Sequence, residues 1–288
     1  MLVAGGAFAS PALAKEPTGD FAVFKQCPRF SGAFLCLYSE TLSGTVTIGK
    51  QAVPINEDKK HAIILQGGIK VNPETEAESF VGALNGETLS KTPQKVPGGL
   101  LGLVKCNEIK GEGWAEKGLR FSCELIFENA ITGVNATTEL AKPASEIAIS
   151  TAALESREGT TLGLPVKVHL ENSLLGSECY IGSSTKPVQL NLTAGKTNPN
   201  PPNKSIEGKD GESEFKDELE FIKFTNNTLV NNEFSAPEAT GCGGIFSFLL
   251  DPIINSKLGL PSPNGFNTAI ENNTIDIGSV EATIKSEK

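Results

Sequence analysis

Apolar and polar residues alternate along much of this chain, and the period is mostly two. In "SGTVTIG", Val46 and Ile48 fall on one face and Thr45 and Thr47 on the other, the pattern of a half-buried strand. "HAIILQGGI" is a short apolar run that predicts a buried strand. "LRFSCELIF" places Leu119, Phe121, Cys123, Leu125 and Phe127 on one face. "LPVKVHLE" turns Val166, Val168 and Leu170 inward and Lys167, His169 and Glu171 outward. "NTIDIGSVEATIK" predicts two short alternating pieces near the end. Helix signals are few. In "DPIINSKLGL", Asp251 suits a cap, Pro252 the first helical position, Lys257 the last turn and Gly259 the stop. "PGGLLGLV" predicts a turn of helix, and "SEIAISTAALESREG" fits a strand or a short helix equally well.

Polar stretches separate these elements. The longest, residues 193–214, is rich in Pro, Asn and alternating charge and reads as a surface excursion. "ELAKPASE" is a softer break, and a domain boundary is expected there.

Stretches of the first half recur in the second, roughly 140 residues on. "CLYSETLSGTVTIGK" is echoed by "CYIGSSTKPVQLNLTAGK", and "ETLSKTPQKVPGG" by "NTLVNNEFSAPEATGCGG". "GGLLGLV" is echoed by "GGIFSFLL". "GLRFSCELIFENAITGVNATTEL" pairs loosely with "GFNTAIENNTIDIGSVEATI", both ending in Asn-rich turns. The order is kept throughout. The expected fold is mostly β: two tandem related β-sandwich modules with short helical turns, residues 15–143 and 144–288, stabilised by disulfides.

Composition sharpens the picture in three ways. The 288 residues are 39% hydrophobic and 20% charged, enough to bury a core. A net charge of −9 argues against nucleic acid and anionic lipid as partners. Residues 1–14, "MLVAGGAFASPALA", end in Ala12-Leu13-Ala14 and suggest the remnant of a secretory signal, although a basic n-region is missing. No other stretch approaches the ~18 apolar residues of a membrane span. Secretion, to the extracellular space or the cell envelope, is therefore expected.

Cysteine usage fits that compartment. Cys27, Cys36, Cys106, Cys123, Cys179 and Cys242 are even in number and include no CxxC pair, so disulfides are expected rather than a zinc site. Two pairings compete. Neighbours would give Cys27–Cys36, Cys106–Cys123 and Cys179–Cys242. The repeat would give Cys36–Cys106 and Cys27–Cys123, again with Cys179–Cys242. The neighbour scheme is favoured, because "NEIKGEGWAEKG" would let Cys106 and Cys123 face each other across a hairpin.

Catalytic chemistry finds little support. The two histidines, His61 and His169, sit at a strand entry and on a polar strand face, and there is no G-x-S-x-G elbow. No catalytic residue is assigned. The nearest approach to a metal site is Asp210, Glu212 and Glu214, but Gly211 is misplaced for an EF-hand, so no metal and no cofactor are expected. Trp114, the one tryptophan, lies in the turn "GEGWAEKG" and could anchor a partner. The Gly243-Gly244 corner beside Cys242 is the other expected interaction point.

At "FAVFKQCP", "LQGG", "NGETLSKTPQKVPGGLLGL", "LPVKVHLEN" and "APEATGCGGIFSFLLDPIINSKLGLPSPNG", the chain resembles a group of exported proteins from high-GC Gram-positive (actinobacterial) bacteria. The resemblance implies secretion and carries no activity with it. The expectation is a structural or interaction protein with an unidentified envelope or extracellular partner. A binding protein for a small apolar or carbohydrate ligand would instead show a lined pocket between sheets. A secreted hydrolase would show His61 or His169 beside a serine and a carboxylate.

Overall fold

The alternation at Val46 and Ile48 belongs to the far end of a long strand, β1 (Leu35–Ile48), in a computed structural model that describes residues 15–99, 113, 114, 117, 133–216 and 220–288. Further along come β2 (Gln51–Ile55), β3 (Ile63–Val71), β4 (Glu78–Gly82), β5 (Gln94–Val96) and β6 (Val134–Leu140). The second half carries β7 (Ala148–Ile149), β8 (Leu162–Glu171), β9 (Tyr180–Ile181), β10 (Val188–Leu192), β11 (Glu212–Lys216), β12 (Phe221–Asn231), β13 (Ala239–Thr240) and β14 (Thr268–Ser279). Helices among the described residues include α1 (Thr151–Ser156), α2 (Ser247–Leu258) and α3 (Val280–Lys285). Strand accounts for 42% and helix for 17%, so the protein is mostly β as expected.

The strands form two antiparallel sheets. In the first the order is β11-β12-β14-β1-β3-β4, with β2 also on β1. In the second it is β13-β9-β8-β6-β5. Here β8 is the hub. Leu140, Ala148 and Ile149 of β6 and β7 line one edge, while Ile181 of β9 and Val188 to Leu192 of β10 line the other. One cluster of buried side chains takes members from both sheets, among them Leu37, Leu65 and Ile69 from the first and Leu164, Val166 and Leu190 from the second. A smaller aromatic cluster, Phe21, Phe24 and Phe221, lies around the Cys27–Cys36 bridge under the 3-10 turn Gly19–Gln26. Its ring centroids are 5.6 to 6.2 Å apart.

The division expected at 143/144 does not separate these sheets. Residues 15–143 supply β1 to β4 to one sheet and β5 and β6 to the other, and the later strands are likewise shared. β1 pairs with β14 from Leu35↔Ser279 to Thr47↔Thr268. Both edges of β1 carry backbone groups that need partners in the interior. β3 and then β2 satisfy one edge and β14 the other, so a strand of the first half is flanked by one from the end of the second. The recurring stretches also take unlike places. The Cys36 copy is the central strand β1, whereas the Cys179 copy splits into β9 and β10 on β8.

Several local expectations are met. The strand in "HAIILQGGI" is β3, and β8 follows the predicted phase, with Val166 and Leu170 buried and His169 on the other face. "SEIAISTAALESREG" is strand and helix in turn. Ser150 ends the extended segment and its hydroxyl accepts from Ala153 N–H at 3.1 Å, a cap worth about 1 kcal/mol. Two expectations need correction. α2 starts at Ser247, so Asp251 and Pro252 lie inside it. Asp251 instead caps the turn before the helix, accepting from Gly241 and Cys242 N–H at 3.1 and 2.8 Å. The second of the two terminal pieces is no strand. Ser279 caps "VEATIK", its hydroxyl accepting from Ala282 N–H, and α3 follows. The strand predicted in "LRFSCELIF", most of the helical turn in "PGGLLGLV", the expected signal remnant 1–14 and the Cys106–Cys123 hairpin lie outside the described residues.

Candidate ligand site between the sheets

Side chains alternate along β14. Ile275 and Ile277 belong to the main core, so the same face carries Asn273 and Glu271 two and four residues earlier. In register on β1, Ser39 lies opposite Ile275, Thr41 opposite Asn273 and Gly44 opposite Glu271. A polar patch thus sits on the inward face of the first sheet.

The backbone is shaped around this patch. Both neighbours of β14 shift register at the level of Asn273: β1 between Thr41 and Ser43, and β12 between Phe224 and Asn227. The extra residue on β1 is Leu42, which is exposed. On β12, Asn226 takes a left-handed φ of 57°. Bulges of this kind bend a strand and re-aim its side chains. Gly44 makes the close approach feasible, because a Cβ there would meet the Ile270 carbonyl oxygen at 2.1 Å.

Across from the patch stand Leu164, Val166, Val188 and Leu190 of β8 and β10. Between the two surfaces is a cavity of about 50 Å³ whose polar lining includes Ser39, Thr41, Glu271 and Asn273. A second cavity of about 60 Å³ adjoins it, sharing Val46, Ile48, Ile55, Ile63, Thr138 and Val168, and is apolar apart from Thr138, Gln51 and Gln94.

Among the described residues, Glu271 is the one charged residue lining either cavity. Burial pushes its carboxyl up from 4.5 to about 7, against a smaller opposing pull from the Thr41 hydroxyl. Asn273 is 3% exposed. Its Nδ2 donates to the Glu271 carbonyl at 3.3 Å, and its Oδ1 has no hydrogen-bond partner among the described residues. Asp276 makes an instructive contrast on the opposite face of the same strand. Burial raises it too, but Lys223 Nζ lies 3.5 Å away and holds the rise back. No cation among the described residues lines the cavity beside Glu271.

The residues singled out from sequence lie elsewhere. Cys27 is bonded to Cys36 and Cys179 to Cys242, as neighbour pairing expects, which excludes Cys36–Cys106 and Cys27–Cys123. Cys106 and Cys123 lie outside the described residues. Trp114 is 90% exposed. Gly243 has φ 82° and sits against Leu250, where a Cβ would come within 2.3 Å of Cδ1. After it, Gly244 opens a 3-10 turn that leaves Ile245, Phe246 and Phe248 exposed. Asp210 precedes edge strand β11, which carries Glu212 and Glu214 outward, and Glu214 pairs with Lys216 at 3.8 Å. Among the described residues no group of three or more His, Cys, Asp or Glu is placed to hold a metal ion.

The histidines have partners of their own. His61 Nδ1 lies 2.5 Å from Asp58 Oδ2, and the Lys60 backbone N–H, with His61 behind it, holds Asp58 below the usual carboxylate range. His169 stacks on Tyr180 with centroids 4.5 Å apart and lies 3.5 Å from Glu171. Neither ring reaches a serine hydroxyl among the described residues. Sequence reasoning missed Glu271 and Asn273: it began the alternating piece at Asn273 in "NTIDIG" and gave neither residue a place in a site. The phase of Ile275 and Ile277, carried backward, was the available signal. Compared with protein-family models, with curated proteins and with solved structures, the chain matches none.

Proposed function

We propose that this protein is exported and works as a non-catalytic binding protein, holding a small apolar ligand between its two sheets, which we read as the layers of a sandwich. The carrying observation is the pair of adjoining apolar cavities between β1, β2 and β3 on one side and β8 and β10 on the other. Ligand sites favour such enclosed, mostly apolar places with a few polar groups. The Cys27–Cys36 and Cys179–Cys242 disulfides suit an oxidising compartment, and no helix among the described residues is long and apolar enough to cross a membrane. The resemblance to exported actinobacterial proteins points the same way. This reading keeps the expected compartment and moves the function from loops to interior.

Methylcyclohexane is a suitable probe. Calorimetric titration should give saturable binding, and Val168→Phe, which fills the space both cavities share, should weaken it at least tenfold. Absence of saturable binding to the wild type by both this hydrocarbon and cyclohexanol would refute the reading.

A second reading rests on the exposed Ile245, Phe246 and Phe248 beside Gly243-Gly244, with Trp114 also exposed. It places the function in a protein contact at that corner. A pull-down from cell-envelope extract should then recover a partner with wild type and lose it with Phe248→Ser or Trp114→Ala. Identical recoveries from all three proteins count against it.

A further inference from the structure

We propose that the polar end of the inter-sheet cavity, formed by Thr41, Glu271 and Asn273, reads a hydroxyl group on the ligand, so that the site takes small apolar alcohols in preference to hydrocarbons. This rests on the binding function proposed above and specifies its ligand.

Three observations converge on it. First, Asn273 is 3% exposed, lines the cavity, and keeps its Oδ1 without a partner among the described residues. A buried acceptor left unpaired is costly, and a ligand that brings a donor recovers that cost on binding. Second, the site is built into the backbone. β1 and β12 both bulge at the level of Asn273, and Gly44 lets β1 close on β14 there. Irregularities on both flanks of one strand, at one level, aim the polar set inward at a specific place. Asn227 joins the same level, its Nδ2 donating to the Asn273 carbonyl at 2.8 Å. Third, the remaining walls are aliphatic: Leu164, Val166, Val188 and Leu190 face the patch, with Ile55 and Ile63 at the junction with the second cavity.

The chemistry of the head group follows from the balance of charge. Glu271 is the single ionisable group among the described lining residues, and burial already disfavours its anion. An ammonium head would bring a second charge into the same apolar walls, with a further desolvation cost. A hydroxyl donates to Asn273 Oδ1 and accepts from the Glu271 carboxyl while it is protonated, with no charge to desolvate. Cavities of about 60 and 50 Å³ that share a wall limit the site to one compact ligand spanning both.

Cyclohexanol and methylcyclohexane have the same number of heavy atoms and differ in the hydroxyl. Each is titrated by calorimetry against the full chain, wild type and Asn273→Val, at one pH. The ratio of alcohol affinity to hydrocarbon affinity cancels their shared packing. The expected result is a fall in that ratio of about tenfold or more in Asn273→Val, with methylcyclohexane still bound. Thr41→Val, which removes the neighbouring hydroxyl, should shift the ratio in the same direction and serves if the first variant does not fold. An unchanged ratio in a folded variant overturns the hydroxyl assignment while leaving the apolar pocket standing. Failure of both probes to bind wild type overturns the pocket, and this inference with it.

Discussion

Replacing Cys179 and Cys242 together by alanine lowers the unfolding free energy by about 4 kcal/mol, which for a chain of this size is a fall in Tm of about 10 °C. The bridge joins residues 63 apart, and both cysteines are fully buried. The segment it closes contains β10, β11 and β12 together with the Pro-rich stretch at 193–214. That stretch crosses from the second sheet to the first, so the bridge restricts an otherwise long and mobile part of the unfolded chain. Loop-closure entropy makes the Cys27–Cys36 bridge, with a separation of 9, worth less, under about 3 kcal/mol. Urea unfolding of the two double-alanine variants checks the order. A larger loss from Cys27→Ala/Cys36→Ala would mean that the bridge acts mainly through packing against Phe21, Phe24 and Phe221, and not through the unfolded chain.

Glu271→Gln stabilises the protein above neutrality and leaves it nearly unchanged in mild acid. The folded protein holds the Glu271 proton up to about pH 7, whereas the unfolded chain releases it near 4.5. The native state therefore binds more protons between these values, and stability falls as pH rises through that window. At about 1.4 kcal/mol for each pH unit, the loss approaches 3 kcal/mol above pH 7. Glutamine keeps the shape and carries no proton to lose. Unfolding free energies of the two proteins should coincide near pH 4 and diverge steadily to about pH 7.5, with the variant more stable. Parallel curves across that range would show that Glu271 does not titrate in the interior. Asp276, raised by burial on the opposite face of β14, contributes the same sign in both proteins and cancels in the difference.

Period-two alternation was a sound guide wherever one face of a strand is buried. It located the end of β1 and the inward set of β8 with its outward Lys167, His169 and Glu171, while the continuous apolar run in "HAIILQGGI" located β3. Local chemistry located the helix stop at Gly259, which takes the left-handed conformation with φ 70°. What alternation could not give is which strand lies beside which. The pairing of β1 with β14 joins the first and last strands of the described chain, and no local signal encodes it. Recurrent cysteine, glycine and asparagine chemistry suggested two modules standing side by side. In space those residues serve different strands in shared sheets. The polar patch was missed for a related reason. Asn272 and Asn273 look like turn residues, and an inward glutamate contradicts the usual phase of a strand. Where a local rule fails in an otherwise consistent strand, a functional site is the expected cause.

The most direct measurement is a methyl NOE spectrum of the protein saturated with cyclohexanol. The account predicts cross-peaks from the ring protons to the methyl groups of Val166, Val168 and Ile55, which line the cavities between the sheets. Cross-peaks confined to Ile245 on the exposed corner, with none to the inter-sheet methyls, would contradict it.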